Sequence, residues 1–334
     1  MRHTLPALVV LIAASAPLPA DDAAGLSARI DGRLAAKWQG KVEPAPAADD
    51  AEFFRRLSLD LTGRIPSLAM VKDFLEDDRP GKRRRWADEF LDGADYSERH
   101  AAHLATRWRA ILLAQANPQL GVGGARLESW LTRQFRANTG YDKLVRALLT
   151  DPTASEFYTA YEGKPENIAG ATARALLGVR LECAQCHADR SGGGWTREQF
   201  WEYAAFFSRL GVPRVDGNRV QVTDDTSDGP PRIKLPEKDT YISAKYLDGS
   251  TLDWKAGSDP KAVLGEWITK PGNRWFARAA VNRVWQQFFG VGLIDPVDGL
   301  GSDAEASHPE LLDELTKAFV AHKHDLKFLM RAIV

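Results

Sequence analysis

Hydrophobic residues recur three and four positions apart through most of this 334-residue chain, which predicts a mainly α-helical protein. Phe53, Leu57 and Leu61, for example, fall on one helix face, and Gly63 ends that pattern. The same reasoning predicts helices at about 24–38, 49–62, 67–75, 81–91, 96–113, 125–136, 141–149, 168–177, 196–209 and 273–289, and a last one from 325 onward. The helix at 196–209 carries an aromatic face of Phe200, Trp201, Ala204 and Phe207.

Between about residues 211 and 257 the pattern changes from helical spacing to short alternating runs separated by proline and Asp-Gly steps. We therefore predict a multi-helix domain, a small β-rich connector and a second helical block. The predicted boundaries are a signal peptide at 1–20, an N-terminal helix and linker at 21–48, the helical domain at 49–210, the connector at 211–258, and the last block at 259–334.

Two helix ends in the last block lead to specific predictions. The run Ser307-His308-Pro309-Glu310 has the form of a capping box with proline in the first turn, so we expect His308 to be structural. The last helix places Leu326, Leu329, Met330 and Ile333 largely on one face. We expect that face to be partly exposed in this chain and the native polypeptide to continue beyond Val334.

Residues 1–20 have the pattern of an export signal. Arg2 and His3 form a polar start, an apolar run follows from Leu5 to Ala16, and cleavage is predicted after Ala20. The run is too short to span a bilayer, and no later apolar run reaches spanning length. We therefore predict an exported protein of the periplasm or cell envelope, without a transmembrane segment.

Charge excludes one class of function. The full chain has 44 Lys and Arg against 45 Asp and Glu. Without Arg2, 43 basic residues remain against the same 45 acidic residues, a net charge of −2 with histidines neutral. Because no basic excess is present, the sequence does not indicate a nucleic-acid partner.

The strongest candidate for chemistry is Cys183-Ala184-Gln185-Cys186-His187, which contains the only two cysteines of the chain. A CxxCH sequence is the attachment pattern of covalent haem c, with two thioether bonds and an axial histidine. It predicts Cys183 and Cys186 as attachment thiols and His187 as the proximal iron ligand. A Cys183–Cys186 disulfide or dithiol pair remains an alternative in an oxidising compartment. A zinc site would need a second pair of ligands, and neither another CxxC nor an HxxxH is present.

The sixth position of a haem iron would need a second ligand from elsewhere in the chain. We predict His103 as this distal ligand, with Met70 and His100 as weaker candidates. His103 shares a helix face with Arg99 and Arg107, so a polar stripe at a helix contact is the alternative. The aromatic face at 196–209 would either border the haem or belong to the core.

Longer motifs support a resemblance to a known family. The first set consists of Leu59-Asp60-Leu61-Thr62-Gly63-Arg64-Ile65-Pro66, Glu98-Arg99 with His103, and Leu177-Gly178-Val179 before the cysteines. The second set consists of Asn282-Arg283-Val284-Trp285, Phe289-Gly290, Gly292-Leu293, Ser307-His308-Pro309-Glu310-Leu311-Leu312 and Asp325-Leu326-Lys327. The first set resembles the cytochrome-c-associated domain of large secreted planctomycete proteins, and the second resembles its usual partner domain.

The resemblance covers most of the chain from about Phe53 onward and implies haem at the CxxCH, although the activity of the family is unassigned. One departure is Asp189, which stands where members commonly carry a second histidine. The expected function is an exported c-type haem protein that transfers electrons to an unidentified redox partner protein. The alternatives are a peroxidase-like haem enzyme with an open iron position, and a haem-free scaffold or interaction module with a Cys183–Cys186 disulfide.

Overall fold

Fourteen α-helices form most of the part of the chain that the computed structural model describes, namely residues 22–188, 193–210, 214–216, 219–221, 228–301 and 304–334. They are α1 (Ala23–Trp38), α2 (Asp50–Thr62), α3 (Leu68–Leu75), α4 (Lys82–Asp92), α5 (Ser97–Leu112), α6 (Ala125–Arg136), α7 (Tyr141–Thr150), α8 (Glu156–Ala160), α9 (Pro165–Thr172), α10 (Arg197–Ala204), α11 (Pro260–Thr269), α12 (Phe276–Phe289), α13 (Pro309–Ala321) and α14 (Leu326–Ile333). The prediction of a mainly α-helical protein is confirmed. The predicted signal peptide lies outside the described residues.

Short irregular helices and strands complete the fold. Four 3₁₀ segments occur at Pro118–Leu120, Pro152–Ala154, Glu182–Gln185 and Ala205–Phe207, and a π-helical turn occurs at Ala173–Leu177, all within the described residues. The strands are β1 (Arg214–Asp216), β2 (Arg219–Gln221), β3 (Arg232–Lys234) and β4 (Tyr241–Ser243). They form two antiparallel pairs, β1 with β2 and β3 with β4, in which Val215 is opposite Val220 and Ile233 is opposite Ile242.

Local sequence signals explain most of the helix ends. The Asp49 carboxylate accepts the backbone N–H of Glu52 at the start of α2, and Gly63 ends that helix in the left-handed region. The Asp259 carboxylate and the first-turn Pro260 begin α11 in the same way. Helix α11 and the short α8 were not predicted. The Asp259-Pro260 step that begins α11 was given no weight, and α8 has only five residues.

The predicted capping box at the start of α13 is wrong. The helix begins at Pro309, so His308 occupies the N-cap position and makes no side-chain cap bond. Ser307 lies one residue too early, and its backbone N–H donates to the Leu293 carbonyl at 2.7 Å. The carboxylate of Glu310 bonds to Arg33 of α1 instead of folding back on the cap.

The first and last helices of the described chain pack together. Leu26 and Ile30 of α1 are buried, and α1 contacts both α13 and α14. Three ion pairs border this contact on its α13 side: Arg29 with Glu314, Arg33 with Glu310, and Arg33 with Glu314, the last at 3.2 Å. The core is therefore continuous from the beginning of the described chain to its end.

The expected partial exposure of the α14 face is confined to Ile333, which is half-buried. Leu329 and Met330 have no exposed surface, and Leu326 is also buried. These residues are covered because α1, α4, α12 and α13 all pack against α14. Within the described residues, no helix has both the length and the apolar character that crossing a bilayer requires.

Candidate functional site

Cys183 and Cys186 lie on one exposed turn. Residues Glu182–Gln185 form a single 3₁₀ turn, and Cys186 follows it with helical backbone angles. Both thiols are free and both residues are exposed. Cys183 lies within the 3₁₀ turn, and Cys186 is the first residue after it, three positions further along the chain.

The helix that follows the cysteine turn holds the turn in place. Ala184 is completely buried, and its backbone N–H donates to the Leu181 carbonyl at 2.9 Å. The Gln185 carbonyl accepts two side-chain hydrogen bonds from α10, one from Trp201 Nε1 at 3.1 Å and one from Arg197 Nε at 3.3 Å. The backbone that carries the exposed thiols is thus held by a buried side chain and by hydrogen bonds to α10.

A π-helical turn leads the chain into the site. The segment Ala173–Leu177 extends α9 by one wider turn, which ends at Gly178 in the left-handed region. A side chain at Gly178 would collide with Leu300, whose backbone N–H donates to the Gly178 carbonyl at 2.9 Å. This close contact explains why residue 178 is a glycine. The hydrogen bond also connects the segment before the cysteine turn to the loop after α12.

A cluster of arginines and carboxylates lies beside the turn. Arg174 donates to Glu182 at 2.6 Å and to Asp298 at 2.8 Å. Arg180 donates to the other oxygen of Asp298 at 2.7 Å. Arg283 of α12 donates to the backbone carbonyl of Arg174 at 2.6 Å and to that of Ala175 at 3.2 Å. The cluster therefore connects the π turn, the cysteine turn and the last part of the chain.

The pKa values in this cluster indicate charged partners. Burial raises the pKa of Asp298, but the hydrogen bond from Arg180 and the charges of Arg174, Arg180 and Arg283 outweigh it, so the net shift is downward. Burial lowers the pKa of Arg174, but Glu182, Asp298 and Cys183 raise it by a larger amount. Asp298 is thus held as a carboxylate and Arg174 as a guanidinium.

The arginine cluster was missed by the sequence analysis. One signal was available, because Arg174 and Arg180 interrupt an apolar run that extends from Ile168 to Leu181. A charged residue within a buried segment needs a partner. The identity of that partner, Asp298, is not visible in the sequence because it lies 124 residues away.

His187 directly follows the two thiols and is also exposed. Its Nδ1 bonds to the carbonyl oxygen of Ala188 at 2.8 Å. Since a carbonyl can only accept, Nδ1 is the donor of this bond. The imidazole is therefore turned toward its own backbone.

His103 lies in a different contact, at the end of α2. Its ring fills the space beside Gly63. Burial and the charge of Arg107 lower the pKa of His103. His103 thus lies at a contact between α5 and the end of α2, which was the alternative to its role as a ligand.

The two weaker candidates also lie in helix contacts. His100 is almost completely buried, and its Nδ1 bonds to the Leu61 carbonyl at 2.8 Å. Met70 packs against the core from α3.

Comparison with known protein families matches two segments of the chain. Residues 29–211 match PSCyt2, described as a protein of unknown function (DUF1549), and residues 260–334 match PSD1, described as a protein of unknown function (DUF1553). This pair of domains is typical of planctomycete proteins. No curated protein and no solved structure matches the chain.

The prediction of covalent haem c is wrong. Among the described residues, no three His, Cys, Asp or Glu side chains are grouped so that they could hold a metal ion. The aromatic face predicted at 196–209 belongs to the core, because Phe200, Trp201 and Phe207 are buried there. Neither matched family is described as a cytochrome or given a function.

The consequences for the predicted function follow directly. Electron transfer through haem, a haem redox partner and the peroxidase-like alternative all required the cofactor, so they are withdrawn. The roles of Cys183 and Cys186 as attachment thiols, and of His187 and His103 as proximal and distal ligands, fall with it. What remains is a pair of exposed thiols with an adjacent imidazole.

Proposed function

The chain belongs to the PSCyt2 family of proteins of unknown function, and from that premise we propose that its site is a reactive dithiol that works by thiol–disulfide exchange. The observation that carries the proposal is that two free, exposed cysteines lie three positions apart at one short turn. A disulfide needs its two Cα atoms roughly 4.4–6.8 Å apart, a separation that one helical turn provides.

The setting differs from that of thioredoxin-like enzymes. Those enzymes carry CxxC near a βαβ unit, whereas Cys183 and Cys186 lie between helices α9 and α10. The module proposed here is therefore a helical scaffold with a dithiol on its surface. The proposal goes beyond the haem-free alternative stated above, a scaffold or interaction module with a Cys183–Cys186 disulfide.

The chemistry is a balanced two-step exchange with a disulfide of a partner molecule. In the first step one thiolate attacks a sulfur of the partner disulfide, which forms a mixed disulfide and releases one partner thiolate. In the second step the other cysteine, as its thiolate, attacks the mixed disulfide and releases the second partner thiolate. The two cysteine protons end on the two partner sulfurs, so the partner disulfide is reduced and the Cys183–Cys186 pair is oxidised.

The proposed location is outside the cytoplasm. The support for it is the export pattern of residues 1–20, which include the apolar run from Leu5 to Ala16. Disulfides form and persist in such compartments, so a dithiol there can cycle between its two states.

The test is a redox titration of the purified chain with mixtures of reduced and oxidised glutathione. We expect one reversible transition in which the intact protein loses two hydrogen masses and both thiols become unreactive toward an alkylating reagent. Cys183→Ser and Cys186→Ser are the matched variants, and each should stop at a glutathione adduct because the resolving thiol is absent. Oxidised wild-type protein that carries only glutathione adducts or intermolecular dimers would refute the proposal.

A further inference from the structure

Helix α1 packs against α13 and α14 at the other end of the chain, although α2 follows it in the sequence. Residues 39–47, which lead from α1 toward α2, are all exposed. Of the sixteen residues of α1, Ala23, Leu26 and Ile30 are the buried ones. The helix is therefore held on the protein by one small contact and tethered by an exposed connection.

The sequence of α1 repeats an apolar residue that is followed three positions later by a basic one. The pairs are Leu26 with Arg29, Ile30 with Arg33, and Leu34 with Lys37. Because residues three and four apart are neighbours on a helix surface, the repeat places an apolar stripe beside a basic stripe. Helix α1 also carries one acidic residue, Asp31. It is thus a basic amphipathic helix.

The surface that receives α1 is complementary to this repeat. Leu26 and Ile30 are buried there, and Leu34 packs against the core from the half-buried side. Each basic residue of the repeat has an acceptor on α13 or just before it. The bonds join Arg29 and Arg33 to Glu314, Arg33 to Glu310, and Lys37 to the Ser307 carbonyl. An apolar contact bordered by carboxylates recognises a basic amphipathic helix.

Gly32 lies in the middle of α1 and weakens the helix. A side chain at this position would meet open space, and the backbone there is helical. Neither a close contact nor a left-handed backbone therefore requires the glycine. Because glycine loses more conformational freedom than alanine when a helix forms, it makes the docked helix less stable. The sequence thus favours an α1 that can leave its site.

We propose that the surface of α13 and α14 beneath α1 is a docking site for a basic amphipathic helix of a partner protein, and that α1 is a detachable strap that occupies this site when the partner is absent. The inference does not depend on the dithiol chemistry and goes beyond it. The strap acts by competition, because the partner helix binds after α1 has left. The apparent Kd of the partner is therefore its intrinsic Kd divided by the fraction of molecules with an open strap.

Hydrogen exchange of the full chain tests whether α1 opens on its own. We expect the amides of α1 to exchange at least about 10-fold faster than those of the buried helix α5. Their rates should depend little on added urea, because undocking of α1 exposes little surface. If α1 and α5 exchange at the same rate and with the same urea dependence, α1 opens only when the whole protein unfolds, and the inference is wrong.

Binding in trans tests the docking site itself. The probe is a fluorescently labelled peptide of residues 22–39, whose anisotropy is measured as the full chain is added. A short flexible tether gives α1 an effective concentration in the millimolar range, so the titration extends to about 1 mM protein. We expect saturable binding. A peptide with Arg29→Glu and Arg33→Glu should bind at least about 5-fold more weakly, because Glu310 and Glu314 would repel it.

Two variants of the full chain show whether the peptide competes with α1. Gly32→Ala and Ala28→Gly change the helix propensity of α1 at exposed positions. With the wild-type peptide as probe, Gly32→Ala should weaken binding by about 2- to 5-fold, because it keeps the strap closed. Ala28→Gly should strengthen binding by a similar factor, because it opens the strap. A contact with purely structural importance would produce no such opposite responses in peptide affinity.

Three results would overturn the inference. The first is the absence of peptide binding up to about 1 mM protein. The second is the same peptide affinity for wild type, Gly32→Ala and Ala28→Gly, since the peptide would then bind away from α1. The third comes from sedimentation of the chain alone: dimers that the peptide dissociates would assign the site to a second copy of this chain instead of a different partner protein.

Discussion

The imidazole ring of His103 lies directly against Gly63, in the space where a side chain of residue 63 would be. Gly63 ends α2 with a φ of 69°, and His103 lies on α5. Two separate motifs of the sequence thus meet at one point. The glycine is needed twice, once for its left-handed backbone and once for the room that it leaves.

Gly63→Ala should therefore be more destabilising than an ordinary glycine substitution. The left-handed backbone alone costs alanine about 1–2 kcal/mol, and the collision with His103 adds to it. We expect a loss of at least about 3 kcal/mol in the free energy of unfolding, measured by urea denaturation. Gly290→Ala is the matched control, because Gly290 ends α12 at a φ of 76° with open space around it.

A double variant identifies the cause of the additional loss of stability in Gly63→Ala. Adding His103→Ala to Gly63→Ala should recover part of the loss, because the collision is removed and the backbone strain is not. If Gly63→Ala and Gly290→Ala cost the same, the contact with His103 contributes nothing.

Burial of His100 predicts a loss of stability in mild acid. Desolvation lowers its pKa from 6.5 to about 4, against the opposing hydrogen bond to Leu61. Because the unfolded chain binds this proton more tightly, the contribution is full above pH 6.5 and is lost as the pH falls toward 4. The total is about 3 kcal/mol. Lys327, Asp92 and His103 also act on this imidazole.

The control is His100→Asn, which keeps a donor for the Leu61 carbonyl and does not titrate. Unfolding free energies of the wild type and variant should be compared from pH 7.5 to pH 4. The difference between the two curves should change by about 3 kcal/mol over this range. Parallel curves would show that His100 is protonated equally well in the folded state.

Two buried tyrosines should respond oppositely to loss of the hydroxyl group. The Tyr161 hydroxyl donates to the Leu112 carbonyl at 2.8 Å, whereas the fully buried Tyr141 hydroxyl has no partner among the described residues. Tyr161→Phe should cost about 1 kcal/mol, and Tyr141→Phe should be neutral or stabilising. Thermal unfolding of both variants checks this, and a clear loss in Tyr141→Phe would reveal a partner such as a bound water.

Asn282 should be one of the least replaceable polar residues of α12. It is fully buried, its amide nitrogen donates to the Ile294 carbonyl at 2.8 Å, and its oxygen accepts the Ile294 N–H at 2.9 Å. Asn282→Ala leaves these backbone groups unpaired and should cost about 2–4 kcal/mol in urea denaturation. Gln287→Ala on the same helix removes one partly buried bond, to Asp60, and should cost less than about 1.5 kcal/mol. A smaller loss for Asn282 than for Gln287 would contradict this reading.

The helices could be predicted from sequence because their signals are local. Asp49, Ser67 and Gly63 cap helices within a few residues of the apolar pattern that they delimit. The site could be predicted only as a pair of cysteines. A CxxCH run specifies two thiols and an imidazole. Whether a haem fits depends on where Phe200, Trp201 and Phe207 pack. Their helical spacing is the same whether they line a cofactor pocket or belong to the core.

The contacts that define the site are long-range, which is why the sequence does not reveal them. Arg174 and Asp298 are 124 residues apart. The π turn at Ala173–Leu177 brings Arg174 beside Glu182, but the apolar sequence around it contains no signal that distinguishes a π turn from an ordinary helix. These contacts are therefore visible only in the folded chain.

The packing of α1 against α13 and α14 has a consequence for the order in which the protein can fold during synthesis. Arg33 is made 281 residues before its partner Glu314. At about 5–20 residues per second, ribosomes need on the order of tens of seconds for that length. Throughout this interval Leu26 and Ile30 lack the helices that bury them. Helix α1 can thus complete its packing only after α13 and α14 have been synthesised.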